Sequence, residues 1–148
     1  MGTRRRAREF ALQILYQLDV QPQMNDDQAS ALFWHNFQSA ADDEAVAAAD
    51  VGEARPFAET LVHGVRVNLA EIDAHLQSAS RNWRLERMAR VDRNLLRLAV
   101  YELKYAADVP AKVAINEAIE IAKRFGTSES PAFVNGILDR CREELGKK

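Results

Sequence analysis

Arginine at positions 4, 5, 6 and 8, followed by tyrosine at 16, is the grouping on this chain most suited to chemistry, and the chemistry is binding, not bond-making. Guanidinium groups donate to phosphate oxygens, and a neighbouring aromatic ring stacks on an unpaired base. Ala7, Phe10, Ala11, Ile14, Leu15 and Leu18 recur at helical spacing, which predicts an amphipathic helix over 4–18 with that stripe inward and the arginines outside. Tyr16 falls on the same outward side as Arg5 and Glu9. The start of a helix is the positive end of its dipole, where each cation costs a few tenths of a kcal/mol or more. Stability alone would not choose four arginines there. Two readings of the face stand side by side: a surface for single-stranded nucleic acid, or a solvated arginine tag with a rim tyrosine.

No grouping suggests catalysis or a cofactor. His35, His63 and His75 make no ligand spacing with Cys141, Gly126 stands outside any phosphate-cradling glycine loop, and Glu117 with Glu120 reads as a solvated face. With one cysteine there is no internal disulfide, and no apolar run is long enough to span a bilayer. Glu9 and Gln13 interrupt the apolar positions that a signal peptide would need. The expectation is a cytoplasmic, soluble protein. Its 148 residues and 47% hydrophobic content suit a single domain with a real core, and a net charge of -2 offers nucleic acid no global attraction. Nucleic-acid binding would depend on local segregation of charge.

The elements that must position these residues are all helical. Residues 91–105, VDRNLLRLAVYELKY, are apolar over a wide arc with Arg93, Arg97 and Lys104 on the remaining stripe, so this helix is expected at the centre of an all-α bundle. Glu102 and Asp92 fall on the apolar side; Glu102 reads as a buried structural pair, Asp92 as a helix-start residue or a partner contact. Asp26 and Asp27 precede a short helix through Ala29, Leu32, Phe33 and Phe37. The acidic, alanine-rich run over 39–55 reads as a mobile loop or weak helix ending near Gly52 and Pro56, and helical order resumes over 56–79. Ser80 and Asn82 mark a break, after which Trp83, Leu85 and Met88 are expected as apolar anchors. Arg81, Arg84, Arg87, Arg90 and Arg93 drift round any helix they occupy and read mainly as solvation. Helices follow over 112–125, with Val113 among its inward residues and Gly126 as its stop, and from Ser130, which caps a helix whose first position is Pro131.

The pair of helices over 112–145 also fits a DNA-reading helix-turn-helix. Asp139, Glu143 and Glu144 beside Arg140 and Arg142 argue against it, because a major groove is lined by phosphate charge.

Taken together, RRRAREFALQILY at 4–16, VDRNLLRLAVYEL at 91–103, VPAKVAINEAIEIAKRFG at 109–126 and FVNGILD at 133–139 resemble the NusB family of bacterial transcription antitermination factors. The resemblance covers nearly the whole chain, and 20–56 is where it departs. It implies an all-α fold of two small helical bundles within one domain, 1–148. The implied partners are boxA RNA, NusE of the small ribosomal subunit, and the RNA polymerase antitermination complex on ribosomal RNA operons. Position by position, Arg4, Arg5, Arg6, Arg8, Gln13 and Tyr16 would face RNA, with Lys123, Phe133 and Asn135 brought alongside by the fold. Glu86, Asp92 and Tyr16 would lie towards NusE. No cofactor and no catalytic activity are implied, and the free protein could be a monomer or a homodimer. The competing classes are the accessory domain of a ribosomal RNA cytosine methyltransferase, a helical protein-interaction module and a DNA-binding regulator.

Overall fold

The computed structural model describes residues 2–40 and 44–147, with side chains described outside 38–51. Its described elements are helices α1 (Thr3–Val20), α2 (Asp26–Ala40), α3 (Glu44–Val67), α4 (Leu69–Ala79), α5 (Arg90–Tyr105), α6 (Ala111–Phe125) and α7 (Ser130–Glu144), with a 3-10 turn at Leu85–Arg87. Among the described residues there is no strand, and the fold is all-α. Two compact units divide the chain, Met1–His63 and Gly64–Lys148.

In the first unit, α2 starts on a reciprocal cap. The Gln28 N–H donates to Asn25 Oδ1 at 2.8 Å while the Asn25 N–H donates to Gln28 Oε1 at 3.0 Å, which satisfies the amides that a helix start leaves open. The helix then places Phe33, Trp34 and Phe37 round Phe10 of α1, with centroid separations of 5.6, 5.1 and 5.0 Å. The pairs with Trp34 and Phe37 are edge to face and that with Phe33 is tilted, and such pairs stabilise beyond the area they bury. Trp34, absent from the expected stripe, is buried, while Leu32, expected inside, is exposed. The indole needs a partner for its N–H, and Ser30 Oγ accepts it at 3.1 Å.

The expectation for 39–55 is corrected in part: the chain is helical from Glu44, and α3 runs through Pro56 without stopping. Residues 41–43 of that run lie outside the described residues. The long helix expected over 56–79 is in fact divided at Asn68. The Asn68 side chain donates to the Gly64 carbonyl at 2.8 Å, and its backbone N–H donates to the same oxygen at 3.2 Å. The local bond competes with helix continuation, which is the known liability of asparagine within helices.

In the second unit, α5 packs against α4, α6 and α7. Leu95, Leu96, Leu98, Ala99, Val100 and Leu103 are buried on it, as is Glu102. Arg93, expected on the outward stripe, is instead buried, and its Nη1 donates to the Leu85 carbonyl at 2.9 Å. Arg97 grips Asp73 of α4 with Nε and Nη2 at 2.8 and 3.0 Å, the bidentate geometry that makes arginine pairs directional. On α6, Val113 is exposed and Ile121 is buried, so the inward face is turned from the expected one.

Gly126 does end α6, but at φ -96°, not in a left-handed cap. A Cβ there would lie 2.4 Å from Ser130 Oγ. Ser130 in turn opens α7 instead of preceding it, and its Oγ accepts the Thr127 N–H at 2.9 Å. The glycine is needed because this serine folds back over the turn.

Candidate nucleic-acid interface

The first turn of α1 contains no acidic residue, so nothing within it offsets the cluster of arginines at its positive end. Thr3 Oγ1 donates to Glu53 Oε2 at 3.2 Å, tying that end to α3. Arg4 is exposed and lies over the Phe57 ring at 4.6 Å, close enough for a cation–π contact that restrains the guanidinium without covering it. Arg5 is half-buried. Arg6, also half-buried, lies over Phe10 at 5.0 Å and 3.6 Å from Glu9 Oε1.

Arg8 does not take the expected outward place. It is 4% exposed, and Glu9, expected beside Tyr16 on the outer face, is 2% exposed. Every residue from Ala7 to Leu12 is buried, so this part of α1 is enclosed on all sides and not on one stripe. A carboxylate so placed requires a cation close by, and Arg6 is positioned to supply it. Charge that looked available to a ligand is partly spent inside. Beyond this sleeve the outer face reopens: Gln13 is exposed, its Nε2 donating to the Glu9 carbonyl at 3.2 Å, and Tyr16 is 39% exposed.

Of the nine residues expected to face RNA, six thus lie in the first unit; Lys123, Phe133 and Asn135 lie in the second. Lys123 is exposed in the last turn of α6, where the helix dipole favours a cation, and sits 3.2 Å from Glu120 Oε2. Phe133 is half-buried on α7 and meets the Trp83 ring edge to face, centroids 5.9 Å apart. Asn135 is exposed two residues on, on a different side of α7.

The residues expected towards a protein partner lie close to one another in sequence and are linked by structure. Glu86 is exposed in the 3-10 turn, 3.7 Å from Arg84. Asp92 occupies the first turn of α5, where its charge suits the dipole, and its Oδ1 is buried without a hydrogen bond. Arg93, bonded to the Leu85 carbonyl, holds the turn carrying Glu86 against the helix carrying Asp92. Among the described residues, no three His, Cys, Asp or Glu side chains are grouped to hold a metal ion. Cys141 is buried, and burial, with a smaller effect of Glu144, pushes its thiol up to about 12, far from the range of a reactive thiolate.

The NusB family's sequence model matches residues 5–143. The chain belongs to the NusB family. A transcription antitermination protein NusB of Myxococcus xanthus is 47% identical over 147 residues, 99% of each chain, and one of an Anaeromyxobacter species is 50% identical, covering 96% of this chain and 91% of its own. Among solved structures, T. maritima NusB shares 37% identity with a TM-score of 0.76, covering 95% of this chain and 91% of its own. A complex of the antitermination factors NusB and NusE with double-stranded RNA contains a chain with a TM-score of 0.79 at 22% identity, covering 97% of this chain and 98% of its own, a likeness of fold alone. No helix among the described residues is long and apolar enough to cross a membrane.

Trp83 was missed as a surface residue: expected as an anchor, it is 56% exposed. Its neighbours Arg81, Asn82 and Arg84 were the available signal, since a tryptophan flanked by polar residues within a break between helices has little core to enter.

Proposed function

We propose that the chain binds boxA RNA together with NusE and acts with RNA polymerase in antitermination, notably on ribosomal RNA operons, which would place it in the cytoplasm. The observation that carries this reading is the arginine-loaded start of α1, free of first-turn acids on a chain of net charge -2, with Tyr16 exposed further along the same helix. Family membership supports it. On this reading Arg4, Arg5 and Arg6 hold phosphates, Gln13 and Tyr16 meet bases, and Lys123, Phe133 and Asn135 form the contribution of the second unit. Arg8, being buried, positions the face and does not bind. Glu86 and Asp92 meet NusE.

The test is a titration of a short boxA RNA against a scrambled RNA, with and without NusE. Selective binding of boxA is expected, strengthened by NusE, with a log-log salt slope of roughly -0.7 for each phosphate contacted. Equal affinity for both RNAs in the presence of NusE would overturn the reading. Asp92→Lys should weaken NusE binding and spare RNA binding by the free protein.

A further inference from the structure

Trp83 exposes more than half of a large apolar ring, yet the backbone beneath it is held firmly. Its carbonyl accepts from Gln77 Nε2 at 2.9 Å and from Ser80 Oγ at 3.0 Å, and its N–H donates to the Ser80 carbonyl at 2.6 Å. Arg140 of α7 donates to the Ala79 carbonyl at 3.1 Å, fixing the preceding residues to the helix that also supplies Phe133. The indole stands on the Phe133 ring at an interplanar angle of 86°, so its orientation is set by packing while its bulk remains in solvent. A large ring left wet on a rigid support is a contact waiting for a partner.

Gly136 points the same way. It lies one helical turn after Phe133 and one before Arg140, on the side of α7 that meets the Trp83 turn. Glycine within a helix costs about 1 kcal/mol relative to alanine, and here a Cβ would touch nothing within 4 Å, so packing within the chain does not account for it. It leaves open floor beside the two rings. Around them Arg81, Arg84 and Arg87 are exposed, and within 81–87 only Glu86 opposes them.

We propose that Trp83, backed by Phe133 and flanked by Arg81 and Arg84, is a stacking platform for a base of single-stranded RNA. The inference rests on the RNA-binding reading above and extends it to a residue that reading did not include. RNA is favoured over a protein occupant because Phe133, which backs the ring, is itself among the residues proposed to face RNA and because the charge within 81–87 is mainly positive. Stacking uses the π-face that every base has, so this platform adds affinity with little sequence preference.

The test uses the full chain and the same boxA RNA. Trp83→Ala should weaken binding about 5- to 100-fold and Trp83→Phe much less, with thermal unfolding of both near that of the parent protein. Gly136→Leu should likewise weaken binding, by filling the open floor, without unfolding α7. In a Trp34→Phe background the emission reports Trp83 alone and should be quenched as RNA is added. Arg5→Ala serves as the control for the underlying reading. If Arg5→Ala weakens RNA binding while Trp83→Ala leaves it within about twofold and the emission does not change, the platform is overturned and the first helix stands. If the parent protein binds no RNA, the underlying reading falls and the platform with it. Loss of NusE binding with RNA affinity retained would assign the ring to the protein partner and overturn the proposal.

Discussion

Tyr16 and Arg8 show how differently two residues of one helix can be used. Both were expected outward; Tyr16 remains partly in solvent and Arg8 is enclosed. The difference is one of level along the helix, since the sleeve of buried residues ends at Leu12 and the exposed side resumes at Gln13. Tyr16→Ala is therefore expected to leave the melting temperature nearly unchanged while costing about 1–3 kcal/mol of RNA affinity, with Tyr16→Phe close to the parent protein. Differential scanning calorimetry and an RNA titration on the same sample check both parts. A fall in stability of about 3 kcal/mol or more would instead mark the ring as core.

At the scale of elements, glycines at helix contacts decide how closely the chain can pack. A Cβ on Gly64, in the last turn of α3, would lie 2.2 Å from Cε1 of Tyr101 on α5, whose ring stacks on Tyr105 with centroids 5.7 Å apart. Alanine is the better helix former by about 1 kcal/mol, but overpacking costs about 1–3 kcal/mol, so the clash should win. Gly64→Ala is expected to lower the urea midpoint, and Tyr101→Ala in the same chain should cancel most of that effect, because the atom it collides with is gone. Additive losses in the double variant would show that the ring is not the cause.

For the molecule as a whole, two neutral acids, buried Cys141 and half-buried Tyr105, are expected to weaken the fold in alkali. Cys141 and Tyr105 are both pushed up to about 12, from ordinary values of 9.0 and 10.0; burial is the main cause in each, with Glu144 and Glu71 respectively adding to it. The unfolded chain therefore releases these protons first, so their contribution is complete below pH 9 and declines as pH rises towards about 12. Glu71, held below its ordinary range by Lys104 first and Tyr105 second, acts in the opposite sense and loses its contribution in acid. Urea midpoints measured across alkaline pH should begin to fall near 9, and Cys141→Ala should move that onset towards 10. An unchanged onset in the variant would remove the thiol from the explanation.

The helical fold and most helix boundaries were legible in the order of residues, because a periodic apolar stripe and a local cap act within a few residues of chain. The stripe of α1, the break after Ala79 and the start of α6 beyond Pro110 are all of this kind. The arginine face was legible as a cluster of types. Its division into exposed Arg4 and buried Arg8, the enclosure of Glu9, the inward turn of Arg93 and the exposure of Trp83 were not. Periodicity describes one helix against a uniform surround, whereas burial depends on how many sides of that helix are covered. Similarly, Gly126 reads as an ordinary stop and nothing marks Gly64 within its helical stretch; only the approach of Ser130 and Tyr101 gives each its constraint. Local chain chemistry determined which segments would be helices and where ligand-binding types collect; only tertiary packing decided which of those side chains remain in water, because that depends on neighbours distant in the sequence.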